Sequence, residues 1–118
     1  MPYRIIALPN GRCEIAGHHA FYGGNPDETY EFMLYVWLIE GGSGPILVEA
    51  GLGDVEEMNR GAAGVLRSPI VQSDSERTEW ILATQGVAPE DVEYIFITHL
   101  HFDHVDQLDL YPLSLIHI

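Results

Sequence analysis

The stretch that decides the fold is Thr98-His99-Leu100-His101-Phe102-Asp103-His104, which contains the pattern His-x-His-x-Asp-His. Imidazole nitrogens and carboxylate oxygens are ligands that suit zinc, iron or manganese. In an extended stretch, residues two apart share a side, so His99, His101 and Asp103 are expected to project together. Leu100 and Phe102 would then point toward the core, and His104 can join the group only if the chain turns there. The alternative is a polar loop of solvated histidines.

Two short apolar runs place this stretch in a fold. Tyr94-Ile95-Phe96-Ile97 is typical of a buried strand, and it delivers the chain directly to His99. Upstream, the run 45–48 is predicted to be a strand that leads into Glu49-Ala50-Gly51 and then Gly51-Leu52-Gly53-Asp54. Asp54 can either orient a metal ligand or cap the short helix predicted for 55–60.

The remaining elements follow from local patterns. Asn10-Gly11 between two apolar runs predicts an opening hairpin, and turn-forming residues predict a loop over 17–30, where His18 and His19 face solvent or the mouth of a site. Residues 31–39 are apolar on both sides and predict a strand covered on both faces, reversed by the glycines of 41–44 into the next strand. A loop is expected up to about Ser73, followed by an amphipathic helix ending at Gly86.

Composition limits the classes of function. The chain has 118 residues, enough for one domain, and 18 acidic residues against 5 basic ones give a net charge of −13. Such a surface repels polyanions, so nucleic acids and anionic membranes are not expected partners, and a small neutral substrate is favoured. The lone Cys13 is expected to be a structural thiol. No transmembrane run or export signal is recognised, so a cytoplasmic location is expected.

The last six residues, 113–118, differ in character from the acidic sequence before them. They read Leu-Ser-Leu-Ile-His-Ile, which is the translation of CTGTCTCTTATACACATC, a transposon-based sequencing-library adapter. We therefore expect 113–118 to be a non-native tail and exclude it from functional interpretation. Residues 1–112 are expected to be the N-terminal half of a longer domain.

The motif and its context resemble the metallo-beta-lactamase superfamily of metallohydrolases. The resemblance covers about 3–112, and its element order is most similar to the N-acyl homoserine lactone hydrolases. It implies an α/β (α+β) fold, a four-layer αββα sandwich with only the N-terminal half present. Glu49 stands where the family usually has Asp. The resemblance makes Glu49 and Asp54 candidates for hydrogen-bonding the metal ligands.

The resemblance also implies a reaction. His99 and His101 would bind the first of two divalent metal ions, and Asp103 and His104 the second, with zinc as the expected metal. Metal-bound hydroxide would open a lactone, while Asp103 would take up the proton and pass it to the leaving alkoxide. Each metal then has only two protein ligands where a catalytic zinc normally has three, so this truncated chain is expected to be inactive.

Three alternatives remain open from the sequence. The same chemistry could act on another ester or a thioester. The same ligands could hold iron in a redox member of the fold. The chain could also be a nonenzymatic product with exposed strand edges that aggregates. Oligomeric state is not predicted, and hydrolysis of a β-lactam has no support in the sequence.

Overall fold

A six-stranded mixed sheet forms the centre of the structure, a computed structural model that describes residues 2–118. The strands are β1 (Arg4–Ala16), β2 (Thr29–Glu40), β3 (Ile46–Val48), β4 (Leu66–Val71), β5 (Tyr94–Phe96) and β6 (Leu115–His117), in the order β4-β1-β2-β3-β5-β6. Pairing is antiparallel from β4 to β3 and parallel from β3 to β6. The helices are α1 (Gly17–Ala20), α2 (Val55–Gly61), α3 (Thr78–Thr84) and α4 (Phe102–Val105). The predicted mixed α/β class is confirmed.

One face of the sheet carries the core. Val36, Leu38, Leu47 and Ile95 are fully buried in a cluster that includes Ile81 and Leu82 of α3. A smaller cluster under α2 contains Met58, Cys13 and Ile15, so the structural thiol is buried as expected. Within residues 2–118, the longest helices have seven residues, and none is long and apolar enough to cross a membrane.

The amphipathic helix forms where the sequence predicts it, with one interruption. Ser73 caps a short 3-10 helix, Asp74–Glu76, through a capping box with Glu76. The chain then adopts an extended conformation at Arg77 before α3 begins at Thr78. Gly86 follows α3 with a φ of +72°, a left-handed conformation that glycine adopts without steric cost.

The predicted opening hairpin at Asn10-Gly11 is wrong. β1 runs through this dipeptide and pairs with β2 along its whole length, with a register shift between Pro9 and Gly11 that leaves Asn10 as a bulge. The Asn10 side chain is 1% exposed and bonds to groups from two distant segments. These buried hydrogen bonds, rather than a turn, explain the asparagine at this position.

Three other expectations change. The stretch predicted as a loop up to Ser73 contains β4, which pairs with β1. The stretch 17–30 contains α1 and the first residues of β2. The strand predicted to be covered on both faces is covered on one, because Met33, Tyr35 and Trp37 are each more than a third exposed among the described residues. The sheet therefore has one packed face and one open apolar face.

Candidate metal centre

Two parallel strands bring the site together at one edge of the sheet. Val48 of β3 lies opposite Phe96 of β5, and the backbone N–H of Glu49 donates to the Phe96 carbonyl at 2.9 Å. Because the two strands are parallel, both end at the same edge of the sheet, and the segments that follow them meet there. Glu49 and the segment that starts at Thr98 are therefore neighbours in space although 49 positions apart in sequence.

The motif is not extended over its whole length. The chain turns at His101, which precedes α4, and the His104 carbonyl accepts a hydrogen bond from the backbone of Ala50 at 2.9 Å. This turn brings the ring of His104 within 4.0 Å of the His99 ring, centroid to centroid, while the His101 ring lies 4.6 Å from that of His99. The chain thus makes the turn that His104 needs. The expectation of one extended stretch through Asp103 is wrong.

Glu49 lies at the centre of this arrangement. It is the only non-glycine residue of positive φ within residues 2–118, at +74°, and it is 4% exposed. One carboxylate oxygen, Oε1, accepts from the backbone N–H of Thr98 at 3.3 Å and from the Thr98 hydroxyl. The other, Oε2, lies 2.9 Å from Nδ1 of His104. That close pair lacks hydrogen-bond alignment, so both atoms lie buried without a hydrogen-bond partner among the described residues.

Asp103 and His104 form a charge-coupled pair. Nε2 of His104 lies 3.1 Å from Oδ2 of Asp103. This hydrogen bond, with the charges of Asp103 and Glu49, raises the pKa of His104 despite the opposing effect of burial. Burial alone would raise the pKa of the Asp103 carboxyl, but the hydrogen bond and charge of His104 outweigh it and keep that pKa below its usual range. Asp103 is therefore a carboxylate at neutral pH.

Three of these residues could hold a metal ion. Glu49, His99 and His104 each offer one ligand atom, and those atoms lie within 4.8 Å of one another. One carboxylate oxygen with two imidazole nitrogens is a donor set that zinc accepts. The unpartnered atoms of Glu49 and His104 fit a cation better than they fit a closed hydrogen-bond network. His101 and Asp103 flank this group without being part of it.

An apolar cavity of about 650 Å³ opens beside the motif. Its walls come from β1, β2 and α2, and His101 and Asp103 also line it. Leu100 and Phe102, expected to anchor the motif in the core, are instead 63% and 72% exposed and line the cavity. Cys13 also lines the cavity, a position that no sequence pattern indicates. Burial and then the charge of Asp103 raise the pKa of its thiol.

The remaining candidate residues, Asp54, His18 and His19, lie outside the group of possible metal ligands. The Asp54 side chain accepts from the backbone N–H of Glu57 at 2.9 Å and so caps α2, the second of the two roles considered for it. His18 and His19 are exposed in α1, and of the two only His19 lines the apolar cavity. A second cavity of about 640 Å³, near the starts of α2 and α3, contains no residue of the His-x-His-x-Asp-His pattern.

Comparison with protein families agrees with this geometry. The family model described as the metallo-beta-lactamase superfamily matches residues 29–110, well over half of the chain. The chain belongs to the metallo-beta-lactamase superfamily. Among curated proteins it is similar to an N-acyl homoserine lactonase of a Bacillus species, with 31% identity over 108 residues. That match covers 86% of this chain and 42% of the relative.

Solved structures of the superfamily show the same fold. One is the Bacillus thuringiensis lactonase AiiA as a mutant with N-decanoyl-L-homoserine bound at the active site, with 25% identity and a TM-score of 0.81. Another is an N-acyl homoserine lactone hydrolase with N-hexanoyl-L-homoserine at its catalytic metal center, with 26% identity and a TM-score of 0.80. Each match covers 95% of this chain and 46% of the solved chain. The chain thus spans less than half the length of the relatives it matches.

Proposed function

We propose that the whole protein is a metal-dependent hydrolase that opens a lactone of the N-acyl homoserine type. The observation that carries the proposal is the apolar cavity of about 650 Å³, whose walls reach His101 and Asp103. A cavity of this size accommodates a small molecule with an apolar tail, while the polar residues at one end select its reactive group. The net charge of −13 favours a neutral substrate over an anionic one.

Four residues of the motif form the proposed metal-binding set. His99, His101, Asp103 and His104 project from one turn of chain, and their rings and carboxylate are adjacent. Divalent cations, with zinc the best fit to nitrogen and oxygen donors, supply Lewis acidity that activates water and polarises a carbonyl at neutral pH. We assign proton transfer to Asp103, because its carboxylate lines the cavity, where it can accept a proton and return it to the leaving oxygen.

The acyl part of the substrate is proposed to lie against α2 and β2. Leu34 and Met58 supply apolar surface there, and Ala62 lines the same cavity at the end of α2. An acyl chain gains roughly 0.8 kcal/mol for each methylene that leaves water. These residues should therefore determine which acyl-chain length the enzyme prefers.

The test compares two neighbouring alanines in the protein expressed from its uninterrupted gene. Ala62 lines the cavity, whereas Ala63 is exposed and does not line it. Ala62→Trp should lower kcat/KM for a decanoyl homoserine lactone about tenfold relative to a butanoyl one, whereas Ala63→Trp should leave the ratio unchanged. Equal effects on both lactones would contradict the proposed tail site. Turnover of thioesters without turnover of lactones would contradict the substrate class.

We further propose that residues 1–112 are one part of this hydrolase domain and that 113–118 are not native sequence. The tail forms β6, and each residue of that strand is exposed. On this proposal the 118-residue chain itself turns over little or no lactone, because its motif offers each metal too few ligands. Sequencing the source DNA beyond the Pro112 codon tests whether 113–118 are native. A natural gene that encodes those six residues would contradict the proposal that they are not.

A further inference from the structure

Tyr111 places a hydroxyl group inside the hydrophobic core. The residue is 4% exposed and belongs to the same cluster as Leu82 and Ile95. Its hydroxyl donates a buried hydrogen bond to the Ala50 carbonyl at 2.8 Å. Burial, and then the charge of Glu79, raises the pKa of the phenol, so the hydroxyl keeps its proton and remains a donor. Phenylalanine would fill the same space without burying a polar group, so packing alone does not account for a tyrosine here.

Ala50 connects this hydroxyl to the metal-binding motif. Ala50 is fully buried, and its backbone N–H donates to the His104 carbonyl at 2.9 Å. Its own carbonyl is the group that Tyr111 binds. The N–H and the carbonyl belong to the two planar peptide units on either side of the Ala50 Cα, so the two hydrogen bonds together restrain both backbone dihedrals of this residue. A hydroxyl in the core is thus joined, through one residue, to the backbone of a proposed metal ligand.

The loop after β3 and the helix α4, which these hydrogen bonds join, have little stability of their own. Glu49 in the loop has a φ of +74°, which a residue with a side chain adopts only where its surroundings hold it. α4, which contains His104, has four residues, and a helix of that length needs tertiary contacts to persist in water. Another hydrogen bond between the two segments, from the Asp54 N–H to Oδ2 of Asp106 at 3.0 Å, is exposed. The Tyr111 bond is buried, so water cannot take its place without opening the core.

We propose that Tyr111 is a positioning residue for the metal-binding motif, whose hydroxyl fixes the Ala50 backbone and through it the position of His104. The proposal rests on the proposed function in one respect, that the motif binds metal. Tyr111 is not among the residues that line the apolar cavity, so it acts on the metal ligand through Ala50 and not by touching a substrate. Removal of the hydroxyl alone should therefore loosen His104 while the walls of the cavity stay in place.

The first experiment measures amide hydrogen exchange in the metal-free 118-residue chain. In Tyr111→Phe, the Ala50 N–H, which donates to His104, should exchange about tenfold faster than in the wild-type chain. The Glu49 N–H, which donates to β5, should change by less than about threefold. Val92→Ala, a truncation in the same core cluster, is the control for a general loss of stability and should accelerate both amides equally. Equal acceleration of both amides in Tyr111→Phe would overturn the proposal.

The second experiment is a Zn²⁺ titration, in competition with a chromophoric chelator, of the protein expressed from its uninterrupted gene. Tyr111→Phe should weaken zinc binding about three- to tenfold, the size expected for the loss of one hydrogen bond. Val92→Ala should keep the wild-type affinity, as should Tyr94→Phe, which removes the hydroxyl of a tyrosine that is 36% exposed. Wild-type zinc affinity in a folded Tyr111→Phe protein would overturn the proposal. Lactone turnover is measured separately, so its absence would overturn the proposed substrate and not this role of Tyr111.

Discussion

Two polar clusters in this chain, one buried and one built around the buried Glu49, differ in how completely their groups are paired. The Asn10 cluster consists of Asn10, Thr78 and the backbone groups that they bind, and the Glu49 cluster consists of Glu49, Thr98 and His104. In the first, Asn10 donates to the Glu76 carbonyl and to Thr78, and accepts from the backbone N–H of Leu52 at 2.7 Å. In the second, one oxygen and one nitrogen have no hydrogen-bond partner.

The difference separates a structural role from a functional one. Thr78 completes the Asn10 cluster by donating to the Leu52 carbonyl at 2.9 Å, so the bulge of β1, the loop after β3 and the start of α3 are joined. A fully paired buried network rigidifies a fold, whereas a partly paired one is unfavourable unless something else binds there. The first cluster should therefore contribute to folding, and the second should contribute to metal binding.

The largest effect on stability is expected at Asn10. Asn10→Ala leaves the Leu52 N–H and part of Thr78 unpaired in a buried site, and should lower the free energy of unfolding by about 3 kcal/mol. Asn25→Ala is the matched control, because the Asn25 side chain accepts one exposed hydrogen bond, from the N–H of Asp27. Urea denaturation measures both. Equal losses would show that the Asn10 network adds nothing to the fold.

Gly51 provides the next largest effect, since it packs on the same cluster. Its φ is +95°, and a Cβ there would lie 2.5 Å from the Thr78 hydroxyl oxygen. Gly51→Ala should cost about 2 kcal/mol, because strain and steric conflict both oppose the new methyl group. Gly61→Ala, at the end of α2 with open space around it, should be neutral or slightly stabilising. The midpoint of thermal unfolding should therefore fall in Gly51→Ala and stay the same or rise slightly in Gly61→Ala.

The sequence predicts much of the fold because several elements depend on local pattern. Nearby residues alone predict the strands β2 and β5, the capping residue Ser73 and the end of the helix at Gly86. The bulge at Asn10 could not be predicted, because its partner Thr78 is 68 positions away. Local pattern does not predict β4 either, because its pairing with β1 decides its conformation.

The candidate site also has one part that local sequence predicts and one part that it does not. The pattern of His99, His101, Asp103 and His104 predicts metal chemistry from spacing alone. The contact between Glu49 and His104 depends on the parallel pairing of β3 with β5 and on a positive φ, neither of which leaves a local signal. Local pattern also fails on the open face of β2. Its apolar residues predict that another element packs on them, but no described residue does so.

A smaller effect is expected from pH in the metal-free chain. The pKa of His104 is raised above its ordinary value of 6.5 in the folded chain. Its stabilising contribution is therefore complete below that value and is lost as the pH rises through the raised pKa. With a chelator present, the free energy of unfolding should be lower at about pH 8.5 than at about pH 6, and His104→Gln should reduce the difference. An increase in stability with pH that depends on His104 would contradict the assigned direction.

The smallest effect on stability is expected at Glu49 itself, and it tests the comparison most directly. At about pH 8.5 with a chelator present, Glu49→Gln should change the free energy of unfolding by less than about 1 kcal/mol. Glutamine can still accept from Thr98 through its oxygen, and it keeps the size and polarity of Glu49 beside His104. Urea denaturation beside Asn10→Ala provides the measurement. A loss as large as that of Asn10→Ala would mean that Glu49 stabilises the fold itself. Metal binding could not explain a cost that appears when no metal is present.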